Sequence, residues 1–250
     1  MKRWVLPVTS FAMFLLLWEI WGRGGDPIIS SCPSAVWSAF IHDLASGQLM
    51  RAIAQSLPAL LAGYALAVML GVPIGIFLGR SSRAEEMFGF YFVGLDASPL
   101  IAFVPLFVLW FGLGVEVRLM MVLVFCITPI VINTWRGVRA VPVTLIDVGK
   151  AFGASAAQIT SKIVFPSVLP AVLTGLRLGI GRAVIATAIS EIFTAMTGLG
   201  GLLLRRSESY DMAGSLVPAL VLMSMGIVLT SLLAAIERSL FAWSCNRNTL

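Results

Sequence analysis

DVGKAFGASAAQITSKIVFPSVLP, residues 147–170, is a polar interruption in a chain otherwise dominated by apolar runs. It sets Asp147, Lys150, Gln158, Ser161 and Lys162 among small residues, with glycine at 149 and 153 and proline at 166 and 170. The flanking stretches are long enough to cross a bilayer and this one is not, so it is placed to touch something outside the membrane. Its local signals predict one short helix over 143–152 and a turn at Gly153, where glycine accepts backbone angles that other residues avoid. Ser155 is the expected N-cap of a second helix reaching about Lys162. Pro166 is then expected to open the next span, where its missing N–H does little harm.

The rest of the composition agrees with a membrane setting. Of 250 residues, 59% are hydrophobic and only 12% charged, against about a quarter charged in an average soluble domain. A soluble fold would have to hide far too much apolar surface. The apolar runs are roughly 4–21, 56–79, 87–111, 117–134, 167–196 and 213–236. Each approaches the roughly 20 residues a span needs. The expected fold class is therefore an all-α, polytopic membrane protein with six transmembrane helices, forming one domain over 1–250. Within it, 1–50 is an N-terminal helix and external loop, 51–236 the core and 237–250 a cytoplasmic tail. The first run is longer than a signal peptide's apolar core and no small-x-small cleavage site follows it, so it reads as an uncleaved helix ending at Trp18, Glu19 and Trp21.

Charge sets the orientation. With both termini in the cytoplasm, ten basic residues fall inside: Lys2, Arg3, Arg80, Arg83, Arg136, Arg139, Lys150, Lys162, Arg238 and Arg247. Five fall outside: Arg23, Arg51, Arg118, Arg205 and Arg206. The excess favours this topology and makes 135–166 cytoplasmic. The net charge of +5 follows from this bias and is not a nucleic-acid signal.

Two rows of small residues stand out. Ala59, Gly63, Ala67, Gly71, Gly75 and Gly79 recur every four residues, as do Ala171, Gly175, Gly179, Ala183 and Thr187. Such rows make smooth helix ridges that let another backbone approach closely. Pro99 and Pro105 predict a kink or break in the third span. Gly22 to Pro33 reads as an external loop, followed by a short interfacial helix started by Ser34.

Four charges lie within spans: Asp96, Arg177, Arg182 and Glu191. Groups at such depth face a cavity or a partner. Asp96 and Arg177 each lie about nine residues from the cytoplasmic end of their spans, roughly 13 Å deep, and are expected to pair, within or between subunits. Arg182 and Glu191, nine residues apart, fall on opposite helix faces and are not expected to meet. The four are candidates to line a translocation pathway, where the arginines would favour an anion. The alternative is a purely structural ion-pair network.

No catalytic or metal constellation emerges. Cys32, Cys126 and Cys245 fall outside, within and inside the membrane, with no ligand spacing. His42, the one histidine, belongs to the external loop as a solvated side chain. No G-x-x-x-x-G-K-[ST] phosphate loop is present, so an ATP-driven cycle would need a partner chain.

The 147–166 segment resembles the cytoplasmic EAA loop of ABC-importer permeases, written E-A-A, three residues, G, nine residues, I, one residue, L, P. Asp147-Val148-Gly149 takes the E-A-A place, Gly153 the glycine, Ile163 the isoleucine and Phe165-Pro166 the Leu-Pro. The spacing is intact, although Asp, Val, Gly and Phe depart from the pattern. Pro99-Leu100-Ile101-Ala102, Pro105-Leu106, Trp110-Phe111-Gly112-Leu113-Gly114, Gly175-Leu176-Arg177, Glu191 and Gly198-Leu199-Gly200 are similar to the nitrate/sulfonate/taurine branch. The resemblance covers roughly 50–236.

It implies a permease of the bacterial inner membrane, paired with a second permease subunit as a homodimer and surrounded by membrane lipid. A cytoplasmic ATPase dimer would bind ATP and magnesium, leaving no cofactor in this chain, and an extracytoplasmic binding protein would deliver the solute. Between spans four and five a coupling-helix pair would engage the ATPase, carried by Asp147, Lys150, Ala151, Gly153, Ala154, Ser155, Ile163 and Pro166. The implied solute is a small anion of sulfonate, taurine or nitrate type, with a neutral or cationic vitamin precursor as the alternative. A secondary transporter would need coupling-ion sites and commonly two related halves. An intramembrane enzyme would need a catalytic pair that the residues do not supply.

Overall fold

The computed structural model describes residues 2–26, 30–194 and 197–240, with side chains over 6–26, 30–194 and 197–238. Cys245, Arg247 and most of the expected 237–250 tail lie outside the described residues, as do the side chains of Lys2 and Arg3. The described chain is helical: α1 (Lys2–Gly24), α2 (Pro33–Ala45), α3 (Gln48–Arg80), α4 (Ser82–Ala97), α5 (Val104–Phe111), α6 (Val115–Arg139), α7 (Val143–Ala151), α8 (Ala156–Ile159), α9 (Phe165–Thr194), α10 (Gly198–Glu208) and α11 (Met212–Leu240).

Among the described residues four helical runs are long and apolar enough to cross a membrane: α3, α6, Ala156–Thr194 and Met212–Arg238. A fifth span arises if α4 and the segment Leu100–Phe111, bent by 93°, count as one. Six spans were expected. The first of them, 4–21, begins outside the residues whose side chains are described, so the count does not bear on it. The break in the third span has a local cause. Ser98, the residue before Pro99, is extended at ψ 145°, because the proline ring disfavours helical angles there. A 3-10 turn, Leu100–Phe103, then leads into α5.

Among the described residues, those within 59–187 and 225–240 form one packing unit, and those within 2–58 and 188–224 the other. In the former, α6 is the central element. It buries Met121, Val122, Cys126, Ile130, Val131 and Thr134. The small-residue rows explain how neighbours come so close. A Cβ added at Gly63, Gly71, Gly75 or Gly79 would lie 2.7, 2.9, 2.6 or 2.4 Å from Val122, Ile130, Thr134 or Val138. Both sets of numbers climb by the same step, so α3 and α6 run parallel with backbones in near contact. On α9, Ala171 Cβ lies 2.4 Å from a Cβ built on Gly137, and a Cβ on Gly175 would meet Asn133 at 3.1 Å. Here one number falls as the other rises, so α9 is antiparallel to α6.

The other unit starts α2 one residue earlier than expected. Pro33 takes the first helical position, Cys32 is the N-cap residue and Ser34 lies inside the helix. Glu19 of α1 replaces the missing cap: Ser34 N donates to Glu19 Oε2 at 3.1 Å and Ser34 Oγ to Glu19 Oε1 at 2.7 Å. His42 is exposed, with Nδ1 3.5 Å from the buried Asp43.

The ridge contacts make a direct prediction. Gly79→Val places two methyl groups against Val138 and the Trp135 carbonyl, which lies 3.0 Å from the added Cβ. Overpacking of this kind costs about 1–3 kcal/mol. A lowered thermal unfolding midpoint in detergent micelles is the expected result, and an unchanged midpoint would contradict the close contact.

Candidate functional site

The polar segment folds from its own residues. α7 ends at Ala151, and Gly153 turns the chain at φ +73°. Gly153 N donates to Lys150 O at 2.9 Å, and Ala154 N reaches back to Gly149 O at 3.0 Å. These bonds answer the last carbonyls of α7 and close it with a left-handed residue that glycine adopts without strain. Ser155 begins α8 through a capping box. Gln158 N donates to Ser155 Oγ at 3.3 Å, and Ser155 N donates to Gln158 Oε1 at 2.8 Å.

The second half departs from expectation. α8 ends at Ile159 and passes without a break into the next elements, and α9 opens at Phe165, one residue before Pro166. A single helical run continues over Ala156–Thr194, with a π turn at Thr160–Val164. Pro166 follows that turn directly. A proline inside a helix lacks its N–H and crowds the preceding turn, and one extra residue per turn lets the backbone pass it. The arrangement is thus one short helix hinged at Gly153 onto the start of a long one.

α7 is seated rather than dangling. A Cβ at Gly149 would lie 2.7 Å from Ile163 Cδ1, so α7 lies close against this run, with the Ile163 side chain packed over the glycine. Ile146, Ala154 and Ile163 join a cluster around Val138, Ile159, Val164 and Val168. Arg80 donates to Thr160 Oγ1, tying the π turn to the end of α3. The opposite face stays open. Leu145, Val148 and Phe152 fall on one helical stripe and are exposed, Phe152 to 87%. Asp147 and Lys150 sit beside it with Nζ and Oδ1 at 3.4 Å, both largely solvated, so their pairing contributes little.

The intramembrane charges pair differently from the expectation. Arg182 Nη1 donates to Asp96 Oδ1 at 2.6 Å and to Thr128 Oγ1 at 3.1 Å. Arg177 instead pairs with Glu237 of α11. The expected Asp96–Arg177 pair is therefore wrong within this chain. Matching depth along the helix was not enough, because Arg177 and Arg182, five residues apart, point about 140° from one another. Asp96 lies in the last turn of α4, just before the break at Pro99, and the Asp96–Arg182 pair is about one-third exposed (33% and 34%).

Glu191 is fully buried and serves α10. Three N–H groups at the start of that helix meet side chains: Gly198 N donates to Gln55 Oε1 at 3.0 Å, Leu199 N to Ser56 Oγ at 2.9 Å and Gly200 N to Glu191 Oε2 at 2.8 Å. A carboxylate at a helix N-terminus is held by both these bonds and the helix dipole. Arg206 secures the far end, donating to Asp43 Oδ1 at 2.5 Å and Asp211 Oδ2 at 2.6 Å. Sequence reading missed α10 entirely. Its signal was modest: two arginines directly after the short apolar run 198–204, where basic side chains suit a helix C-terminus.

Residues 71–242 match the family described as "Binding-protein-dependent transport system inner membrane component". The chain belongs to that family. It is 29% identical to the formylaminopyrimidine transport permease protein ThiX of Halalkalibacterium halodurans, over 95% of each chain. It is 28% identical to the taurine transport system permease protein TauC of Escherichia coli, over 78% of this chain and 71% of TauC. The fold is similar to that of the MetNI methionine ABC transporter in inward-facing conformations, at 17% identity and a TM-score of 0.66, covering 76% of this chain and 95% of that one. This permease is thus a membrane-spanning transport component and not an enzyme, and its family implies a partner ATPase and a solute-binding protein.

The corrected pair is testable in this permease. Asp96→Arg and Arg182→Asp, made singly, each leave like charges facing one another. Uptake and folded yield are expected to fall with either and to recover in the double swap, a coupling of about 1–3 kcal/mol. Additive losses in the double variant would count against the pair.

Proposed function

We propose that this permease, paired with a second copy of itself, forms the pathway for a small anionic solute of sulfonate, taurine or nitrate type. Its α7 and α8 segment receives a cytoplasmic ATPase dimer that binds ATP and magnesium. The solute-binding protein docks on the opposite side, and both termini face the cytoplasm. The observation that carries this reading is the stripe of Leu145, Val148 and Phe152 on a helix whose other face is fixed by Gly149 against Ile163. A rigidly seated helix with an exposed aromatic tip suits a partner's surface groove, where burying such a ring is worth about 1.5–3 kcal/mol.

Asp147, Lys150 and Ala151 flank the stripe, Gly153 sets the hinge, and Ser155 starts the following helix. Ala154 and Ile163 fasten the hinge to the cluster beneath, while Pro166 follows the π turn that leads into α9. A push on α7 therefore passes into α9 and, through the tight α9–α6 contact, into the bundle. Close-packed ridges favour motion as rigid bodies.

A second solute reading, a neutral or cationic vitamin precursor, is favoured by two observations. ThiX is similar over nearly the whole chain. Arg182 and Arg177 are also each matched by a carboxylate, which removes most of their pull on an anion.

Phe152→Ala separates docking from folding, because the ring is exposed and its loss leaves the unfolding midpoint unchanged. Co-purification of the ATPase and coupled uptake are expected to fall about tenfold or more, in line with the burial of one aromatic ring. Normal ATPase association in that variant would refute the docking role.

A further inference from the structure

We infer that a cleft at the start of α3, facing α10, is a binding site for a small oxyanion of the sulfonate or carboxylate class. The cavity has a volume of about 320 Å³ and is open on one side. That is within the size range of small-molecule sites, roughly 300–1,000 Å³. Ala52 and Leu202 form its buried apolar base, and Gln48, Arg51, Gln55 and Arg205 bring polar groups to it.

Chemistry decides what such a wall can hold. Gln55 Oε1 accepts from Gly198 N at 3.0 Å, and a backbone N–H can only donate. Gln48 Oε1 accepts more weakly from Arg206 Nη2 at 3.5 Å, and a guanidinium likewise only donates. Each carboxamide oxygen therefore already has a donor, and each side chain also carries an NH2 group that can donate. Arg51 adds a guanidinium steadied by a bond from Nη2 to Ser46 O at 3.3 Å, and Arg205, itself held by another interaction within the chain, adds a second. No carboxylate is among the lining residues. Asp43 and Asp211 are instead both bound by Arg206. The cleft thus gathers four donor side chains, two of them permanently cationic, whose planar forks match oxyanion geometry.

None of these residues belongs to the 143–166 segment or to the Asp96–Arg182 pair. The binding claim stands apart from the proposed function, and only its place in uptake rests on that reading.

The test uses the full-length permease in lipid nanodiscs, without ATPase or binding protein, and methanesulfonate as the probe. Saturation-transfer NMR on its methyl group is expected to show saturable binding. In Arg51→Gln/Arg205→Gln the affinity falls at least tenfold, while Arg51→Lys/Arg205→Lys retains part of it with an unchanged unfolding midpoint. Tetramethylammonium gives no saturable signal. The proposal is overturned by absent binding in the native chain, by equal affinity in the Gln variant, or by equal binding of the cation. Loss of ATPase association in Phe152→Ala leaves this result unaffected, so the two readings fail separately.

Discussion

Near-contact of backbones along α6 is the constraint on which the bundle formed by 59–187 and 225–240 depends. Gly63, Gly71, Gly75 and Gly79 bring α3 against one side, and Gly137 and Gly175 bring α9 against another. Helices in lipid gain little from hydrophobic burial against each other, so dispersion contacts at such close range carry much of their association. The same contacts make the bundle stiff. Interiors packed to this density shift between discrete arrangements rather than deforming smoothly. That stiffness gives the short α7 helix mechanical meaning, because its seat is built from residues of α6, the π turn and α9.

The polar chemistry is divided between two tasks. Asp96, Arg182 and Thr128 form a partly exposed cluster beside the break at Pro99. Glu191, Ser56, Gln55, Arg206 and Asp43 instead anchor α10 at both ends. Buried carboxylates are costly unless paired and hydrogen-bonded. Glu191 meets that demand with the N-terminus of α10, so its first duty is to hold a helix in place.

Much of this was legible in the residues. The four-residue repeats of glycine and alanine marked the ridges because small side chains matter for contact wherever they recur on one face. Gly153 and Ser155 were legible because a left-handed turn and an N-cap each demand particular residue types. Three features were not. The π turn before Pro166 has no one-dimensional signature, since a proline at that place also suits a fresh helix start. The partner of Asp96 depends on azimuth about α9 and on where α11 brings Glu237, neither of which depth along a span can supply. α10 escaped because its burial comes largely from glycines and its caps come from Gln55 and Ser56, more than 140 positions away.

The central claim is that the α7 tip meets the ATPase on the cytoplasmic side. A single cysteine at Phe152, in a chain otherwise free of cysteine, tests it most directly. The account predicts that Phe152→Cys cross-links to the ATPase in inverted membranes and resists impermeant thiol reagents applied to intact cells. Labelling from the cell exterior, with no cross-link, would contradict it.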